Sequence, residues 1–247
     1  MEKLIVKDYE LTVKLPSFIN IIGLPNSGKT YLLRMLINQI PNQNLFLDEQ
    51  NINDLDINFK KRNIACALNL KFNTPYVKEE LLYCLDKCDF NIGESFDLLD
   101  EFADYFDLEA IINEKLAEIT ITQRALVKIL SLLILKPKIL GIDNLLSYLS
   151  EDIKLKIIKY AKKEKITILN ITSNSEELLL GNDIVVLETG KVKVHQKTKK
   201  LLENEKLLAS IGFELPFIVN LSNGLRLYEV MDKLYFNHKS LVGDLWQ

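Results

Sequence analysis

The chain of 247 residues contains only three cysteines and two histidines, and their spacing argues against a disulfide framework or a dedicated transition-metal site. Its three cysteines are Cys66, Cys84 and Cys88, and the last two are one helical turn apart. We interpret them as core residues of a protein from a reducing compartment. The two histidines, His195 and His238, lie far apart in the sequence without His or Cys partners at ligand spacing.

An excess of positive charge is also missing, because 34 acidic residues outnumber 31 basic ones and leave a formal net charge of −3. The chain therefore has no overall basic field for nucleic acid. Local clusters such as Lys60-Lys61-Arg62 are interpreted as solvated faces. We expect no nucleic-acid partner.

Long hydrophobic runs are absent as well. The most hydrophobic stretch, 126–135, is interrupted by Lys128 and ends before Lys136-Pro137, so it is too short to span a bilayer. The first residues lack the apolar segment of a signal peptide. Because 48% of the residues are hydrophobic and 26% are charged, we expect a globular cytoplasmic protein.

One motif dominates what is present. Residues 23–30 follow the phosphate-binding P-loop pattern, between the apolar run 18–22 and a helical pattern that starts at Tyr31. Backbone N–H groups and the helix dipole form an anion cradle in such a loop. Lys29 adds a charge for the outer phosphates, and the Thr30 hydroxyl can hold Mg²⁺. The predicted phosphate-binding residues are Gly23, Leu24, Pro25, Asn26, Ser27, Gly28, Lys29 and Thr30.

Short apolar strands alternate with helical patterns along the rest of the chain. A hairpin is predicted over 2–15 and another over 183–195, with strands over 44–48, 64–68, 139–143 and 167–172. Helices are predicted over 123–135 and 152–163. This alternation predicts an α/β fold with a mainly parallel sheet.

Two further segments read as helical. From Val77 to Leu116 apolar residues recur at helical spacing, which predicts an inserted helical subdomain at about 70–122. A composition shift near Lys197 marks a C-terminal appendage with helices over 201–212, 218–227 and 239–246. The predicted domains are therefore 1–196 and 197–247.

The order of these motifs resembles the nucleotide-binding domain of ABC transporters over nearly the whole chain. Gln123-Arg124 and the apolar strand ending at Asp143 are similar to the stretch from the signature to Walker B, and 171–177 is similar to the switch region. Segments 211–217 and 241–246 resemble the ATPase subunits of energy-coupling factor (ECF) transporters, a group that takes up vitamins and transition-metal ions. The resemblance implies a P-loop NTPase fold with a RecA-like parallel core that binds ATP and Mg²⁺.

The resemblance assigns roles to several residues and also exposes departures. Asp143 matches the Walker B carboxylate that binds Mg²⁺ together with Thr30, although it could instead cap a following helix. Asn69 takes the place of the Q-loop Gln. Asn144 stands where the family has its catalytic Glu, and Ser173 stands at the switch His, so no catalytic residue is assigned with certainty.

The signature sequence is the largest departure. Residues 117–121 replace Leu-Ser-Gly-Gly-Gln without a glycine, and Glu118 adds a negative charge near the place of the partner's γ-phosphate. The tyrosine that stacks on adenine in the family would lie upstream of the first residues here, and Tyr9 is not obviously its replacement. We therefore expect MgATP binding with impaired hydrolysis by the chain itself.

The implied function is that of an ATP-binding subunit that couples MgATP binding, and hydrolysis by the complex, to uptake of a vitamin or metal ion. Its implied partners are a second ABC ATPase subunit in a heterodimer, a transmembrane coupling protein and a substrate-binding membrane subunit, at the inner face of the cell membrane. Residues 70–80, with the acids Glu79 and Glu80, are the expected docking segment, although an ordinary helix start at Pro75 explains them equally well. A P-loop small-molecule kinase and a scaffold without nucleotide binding remain as alternatives.

Overall fold

The computed structural model describes residues 2–246. Its strands, in chain order, are β1 (Lys3–Val6), β2 (Leu11–Lys14), β3 (Phe18–Ile22), β4 (Leu45–Leu47), β5 (Gln50–Asn51), β6 (Ile64–Ala67), β7 (Ile139–Asp143), β8 (Thr167–Ile171), β9 (Asp183–Glu188) and β10 (Lys191–Lys197). Its helices are α1 (Lys29–Leu36), α2 (Ile57–Asn63), α3 (Val77–Asp86), α4 (Ile92–Phe106), α5 (Ile121–Leu133), α6 (Glu151–Lys163), α7 (Thr198–Leu202), α8 (Glu205–Ser210), α9 (Phe217–Leu227) and α10 (His238–Leu245).

A six-stranded sheet in the order β10-β9-β3-β8-β7-β6 forms the centre of the molecule. Its strands are parallel except for β10, which pairs antiparallel with β9 at the edge. Every residue of β3 and β8 is buried, as is usual for parallel strands that are covered on both faces. The predicted α/β architecture with a parallel core is therefore confirmed.

The predicted N-terminal hairpin is also confirmed, and it belongs to a separate antiparallel sheet in the order β2-β1-β4-β5. Leu4, Val6, Leu11 and Val13 are buried, as alternation along strands with one covered face requires. A single 3₁₀ turn, Lys7–Tyr9, joins β1 to β2. The hairpin is therefore short and ends close to the P-loop.

The helical segment after β6 is less continuous than the sequence predicts. Helices α3, α4 and α5 share an apolar core that includes the buried residues Cys84 and Cys88, as expected. Helix α4 ends at Phe106 because Asp107 adopts a left-handed conformation with φ of 56°. The expectation of helix as far as Leu116 is therefore wrong for 107–116, where the chain runs through turns.

The C-terminal segment forms short helices that share an apolar core with Ile22, Ile184 and Val186 of the central sheet. The single helix expected over 201–212 is divided, because the Asn204 side chain accepts a hydrogen bond from the Leu207 backbone N–H and starts α8. Helices α9 and α10 lie where they were predicted. The domain boundary at 196/197 and the bounds of the helical subdomain stay predictions. No helix within 2–246 is both long and apolar enough to cross a membrane.

Candidate functional site

The candidate site lies at the carboxyl edge of the central sheet. Strand β3 runs directly into the P-loop, β7 ends at Asp143, and β8 precedes Thr172 and Ser173. Asp143 is in register with Ile171 on the neighbouring strand. Because the carboxyl ends of parallel strands meet at one edge, the fold gathers these segments from distant parts of the chain.

The P-loop backbone adopts conformations that its residue types explain. Gly23 has φ of 150°, and a Cβ atom there would lie 2.2 Å from the Leu187 carbonyl oxygen. Gly28, with φ of 95°, is the residue before α1, and a Cβ atom on it would lie 3.0 Å from the Tyr9 hydroxyl. Asn26 also has a positive φ, 62°, which Asn tolerates better than most residues. The loop therefore has Gly or Asn at each position where the backbone φ is positive.

Lys29 places a partly buried ammonium group inside this loop. Its Nζ donates to the carbonyl oxygens of Gly23 and Leu24, both at 2.8 Å, and to the Ser27 Oγ at 3.1 Å. Burial lowers the pKa of the Lys29 ammonium, and the charge of Asp143 opposes that shift. An ammonium group that is held by neutral oxygens suits a phosphate ligand, whose charge would offset the cost of burial.

The Thr30 hydroxyl donates to an Asp143 carboxylate oxygen at 2.6 Å. The alternative that Asp143 caps a helix is wrong, since the next helical turn, Leu146–Tyr148, starts without a side-chain cap, and α6 begins after Ser150. A hydroxyl and a carboxylate are oxygen ligands of the kind that Mg²⁺ takes. The pair therefore fits a magnesium ion, and its role in binding one stays a prediction.

Asn144 and Ser173, which the resemblance predicts to be substituted catalytic positions, contact each other. The Asn144 amide oxygen accepts from the Ser173 backbone N–H at 3.0 Å and from its hydroxyl at 3.2 Å. The Asn144 amide nitrogen donates to Asp143 at 3.0 Å. Both ends of this amide are thus engaged, one by Asp143 and the other by Ser173. An amide in this position cannot take a proton from water.

Two other predicted positions are engaged in local structure. Asn69 is exposed, and its amide oxygen accepts from the Lys71 backbone N–H at 2.9 Å. In the segment that replaces the signature, Thr120 caps α5 through a capping box: its hydroxyl accepts from the Gln123 N–H, and the Gln123 side chain accepts from the Thr120 N–H. These bonds occupy the N–H groups of Thr120 and Gln123 at the start of α5.

Sequence reasoning missed two residues that support the loop. The Tyr9 hydroxyl donates to the Gly28 carbonyl oxygen at 2.8 Å, and burial raises the pKa of Tyr9 to about 12. The Gly190 N–H donates to the Ser27 carbonyl oxygen at 3.0 Å. Both residues lie in hairpin turns that the sequence does predict. Their position beside the P-loop depends on sheet order, which no local pattern encodes.

A buried polar network behind the switch was also missed. Asn20 on β3 and Asn170 on β8 are register partners, and both are completely buried. Asn20 donates to the backbone carbonyls of Glu177 and Leu178, and Asn170 donates to the Glu177 carboxylate at 3.1 Å. The network therefore connects β3, the strand before the P-loop, to the 3₁₀ turn Ser175–Leu180.

The expected docking acid Glu80 requires a correction, because its carboxylate is completely buried. It accepts from the backbone N–H groups of Asn73 and Thr74 at 2.8 and 3.1 Å, and Lys128 Nζ lies 3.6 Å away. The hydrogen bonds of Glu80 thus hold the loop after β6, and its carboxylate is not available to a partner. Glu79 remains exposed.

Comparison with known proteins finds chains similar to this one over nearly its whole length. The Energy-coupling factor transporter ATP-binding protein EcfA of Malacoplasma penetrans is 22% identical over 250 residues, covering 98% of this chain and 87% of that protein. EcfA1 of Mycoplasmopsis synoviae is 25% identical over 249 residues, covering 93% and 91%. The structure of cbiO1 from Clostridium perfringens aligns with a TM-score of 0.71 at 16% identity, covering 88% of this chain and 97% of that one.

The structural likeness confirms the P-loop NTPase fold class. The curated relatives confirm the resemblance to ECF ATP-binding proteins. A family model described as "ABC transporter" matches residues 6–147, which is more than half of the chain. The chain therefore belongs to the ABC transporter family.

Proposed function

We propose that this protein is the ATP-binding subunit of an ECF-type transporter and that it acts as the degenerate half of an ATPase heterodimer. The observation that carries the proposal is the contrast within one site. The P-loop, Lys29 and the Thr30–Asp143 pair are intact, whereas Asn144 and Ser173 bond each other in place of a general base and a switch His. Such a subunit binds MgATP and hydrolyses it poorly.

The chemistry at this site follows from the side chains present. Bound Mg²⁺ would neutralise phosphate charge, with Thr30 and Asp143 as its protein partners. Lys29 would exchange its loop carbonyls for phosphate oxygens. Loss of a general base typically lowers the rate about 10²- to 10⁴-fold. Efficient ATP hydrolysis would therefore depend on the partner ATPase subunit.

The first test is MgATP affinity and turnover of the purified chain, alone and with its partner subunits. Lys29→Ala should weaken MgATP about 10- to 100-fold, because it removes a charge-assisted contact. The exposed Lys206→Ala is the matched control and should bind as the wild type does. Robust turnover by the isolated chain would refute the degenerate role, and failure to bind MgATP would favour a scaffold.

A second test restores the missing base within the assembled complex. Asn144→Glu supplies a carboxylate that can still accept from Ser173, and Asn144→Gln supplies the same length without a base. We expect Asn144→Glu to raise turnover above that of Asn144→Gln by at least about tenfold, a fraction of what a general base contributes. Equal turnover of the two variants would contradict the proposal that hydrolysis is slow because a general base is missing. Phosphate transfer to a small molecule in an acceptor screen would favour the kinase.

The proposed membrane partners need a docking surface other than Glu80. A groove of about 430 Å³ lies between α1, α2, β6, α3 and α5, with an apolar floor and the lysines Lys60, Lys61 and Lys87 at its rim. No ion pair within 2–246 uses these three ammonium groups. The groove suits an amphipathic helix of the transmembrane coupling protein with acidic residues beside its apolar face.

Docking there would hold the chain at the inner face of the membrane. Charge reversal of Lys60, Lys61 and Lys87 to Glu should release the chain from its co-purified membrane proteins. Reversal of Lys199, Lys200 and Lys206, which are exposed elsewhere, is the control. Unchanged co-purification of the groove variant would contradict this surface. The solute, a vitamin or metal ion, would be identified by the substrate-binding subunit that co-purifies.

A further inference from the structure

An exposed aromatic ring lies next to the phosphate cradle. A cavity of about 520 Å³ is lined by the P-loop from Asn26 to Thr30 together with Tyr9, Tyr31 and Gly190. Tyr31 is 49% exposed, whereas its neighbours Leu32 and Leu33 on the same helix are completely buried. Within residues 2–246, Tyr31 is not part of a hydrophobic core.

The direction of the Tyr31 side chain follows from the helix that carries it. Tyr31 is the third residue of α1, which begins at Lys29. Side chains on an α-helix lean towards its N-terminus. The ring of Tyr31 therefore leans towards the loop that would hold the phosphates.

Tyr9, the other aromatic residue of the cavity, is already engaged. Its side chain is only 4% exposed, and its hydroxyl donates to the Gly28 carbonyl oxygen. It sits in the 3₁₀ turn between β1 and β2, and the cavity lining contains no aromatic residue other than Tyr9 and Tyr31 among the described residues. Tyr31 is left as the aromatic face that a ligand entering this cavity can reach.

We propose that Tyr31 is the stacking platform for the nucleotide base and that this platform makes the site tolerant of either purine. The inference rests on the proposed function, because it requires a nucleoside triphosphate on the P-loop. A base whose phosphates occupy the cradle extends outwards along the cavity, past the first turn of α1. Stacking on an aromatic side chain accepts every base, since each has a π-face. Of the described residues that line the cavity, only Asn26, within the P-loop itself, carries a side-chain amide, and none carries a carboxylate.

The test compares three probes: MgATP, MgGTP and magnesium tripolyphosphate, which has the phosphates without a base. Isothermal titration would give their affinities for the full chain and for Tyr31→Ala, Tyr31→Phe and the control Tyr228→Ala, a tyrosine that is 79% exposed on the C-terminal segment. Tyr31→Ala should weaken MgATP and MgGTP about tenfold and leave tripolyphosphate within about twofold. Tyr31→Phe and Tyr228→Ala should match the wild type, which should bind the two nucleotides within about fivefold of each other.

Three results would overturn the inference. They are unchanged MgATP affinity in Tyr31→Ala, an equal loss of tripolyphosphate affinity, and a wild-type preference for one purine nucleotide of about 100-fold or more. The first two would show that Tyr31 is a bystander or shapes the loop. Each of the three leaves phosphate binding by the wild type, and with it the proposed function, intact. Failure of the wild type to bind either nucleotide or tripolyphosphate would overturn the proposed function and this inference together.

Discussion

Replacing the buried carboxylate of Glu80 by an amide should destabilise the fold strongly. Glu80 lies on α3, is completely buried, and accepts backbone hydrogen bonds from Asn73 and Thr74 at 2.8 and 3.1 Å. Its other oxygen lies 3.6 Å from Lys128 Nζ on α5, which is itself mostly buried. Glu80→Gln removes the charge and points an N–H₂ group at a site built from donors.

The expected loss can be estimated from these contacts. Removing one partner of a buried ion pair typically costs about 3–5 kcal/mol, because the other charge stays buried without compensation. The glutamine oxygen can keep one or both bonds to the loop backbone, which places the expected loss near the lower end, at about 3 kcal/mol. The loop that carries Asn69 should lose its order first, since Glu80 connects it to the helices.

Urea unfolding of Glu80→Gln, followed by circular dichroism, measures this loss. The matched control is Glu79→Gln on the same helix, which is exposed and should change the free energy of unfolding by less than about 0.5 kcal/mol. Hydrogen exchange of residues 69–75 should rise in Glu80→Gln only. A loss below about 1 kcal/mol, or equal losses in the two variants, would refute the role of Glu80 as the internal anchor of the loop.

Three further predictions follow from buried or capping contacts. Asn20→Ala should lower the free energy of unfolding by about 3 kcal/mol, since it leaves polar groups of Asn170 and Glu177 without partners, whereas the exposed Asn220→Ala should have little effect; equal urea midpoints would contradict this. Burial raises the pKa of the Cys66 thiol to about 12. Cys66 keeps some solvent exposure, so its alkylation at pH 8, followed by mass spectrometry, should be at least about tenfold slower in the native than in the unfolded chain, and similar rates would argue against a suppressed thiolate. Thr120→Ala should cost about 1 kcal/mol of stability through loss of the α5 cap without changing MgATP affinity, and a weakened affinity would connect this segment to the chain's own nucleotide site.

The secondary structure was largely predictable because it follows local rules. The apolar runs that became β3, β7 and β8 are recognisable without a partner, because strands buried on both faces must be apolar nearly throughout. The glycine spacing of the P-loop is equally local, since it reflects backbone conformations within eight residues. Errors arose where a single residue interrupts a helix, as at Asp107 and Asn204.

The sequence by itself thus determined the P-loop motif and its parallel-sheet setting, and it predicted that Asn144 and Ser173 stand at substituted catalytic positions. Only the tertiary structure decided what those positions contact: that Asn144 bonds Ser173, that Glu80 faces inwards, and that Tyr31 stays exposed beside the cradle. The physical reason is that residue type and spacing specify the local backbone, whereas the direction and burial of a side chain depend on strand order and on contacts with other segments of the folded chain, such as those of Asn144 with Ser173 and of Glu80 with Lys128. A motif therefore indicates which chemistry is present, and the packing of the whole chain decides where each side chain can act.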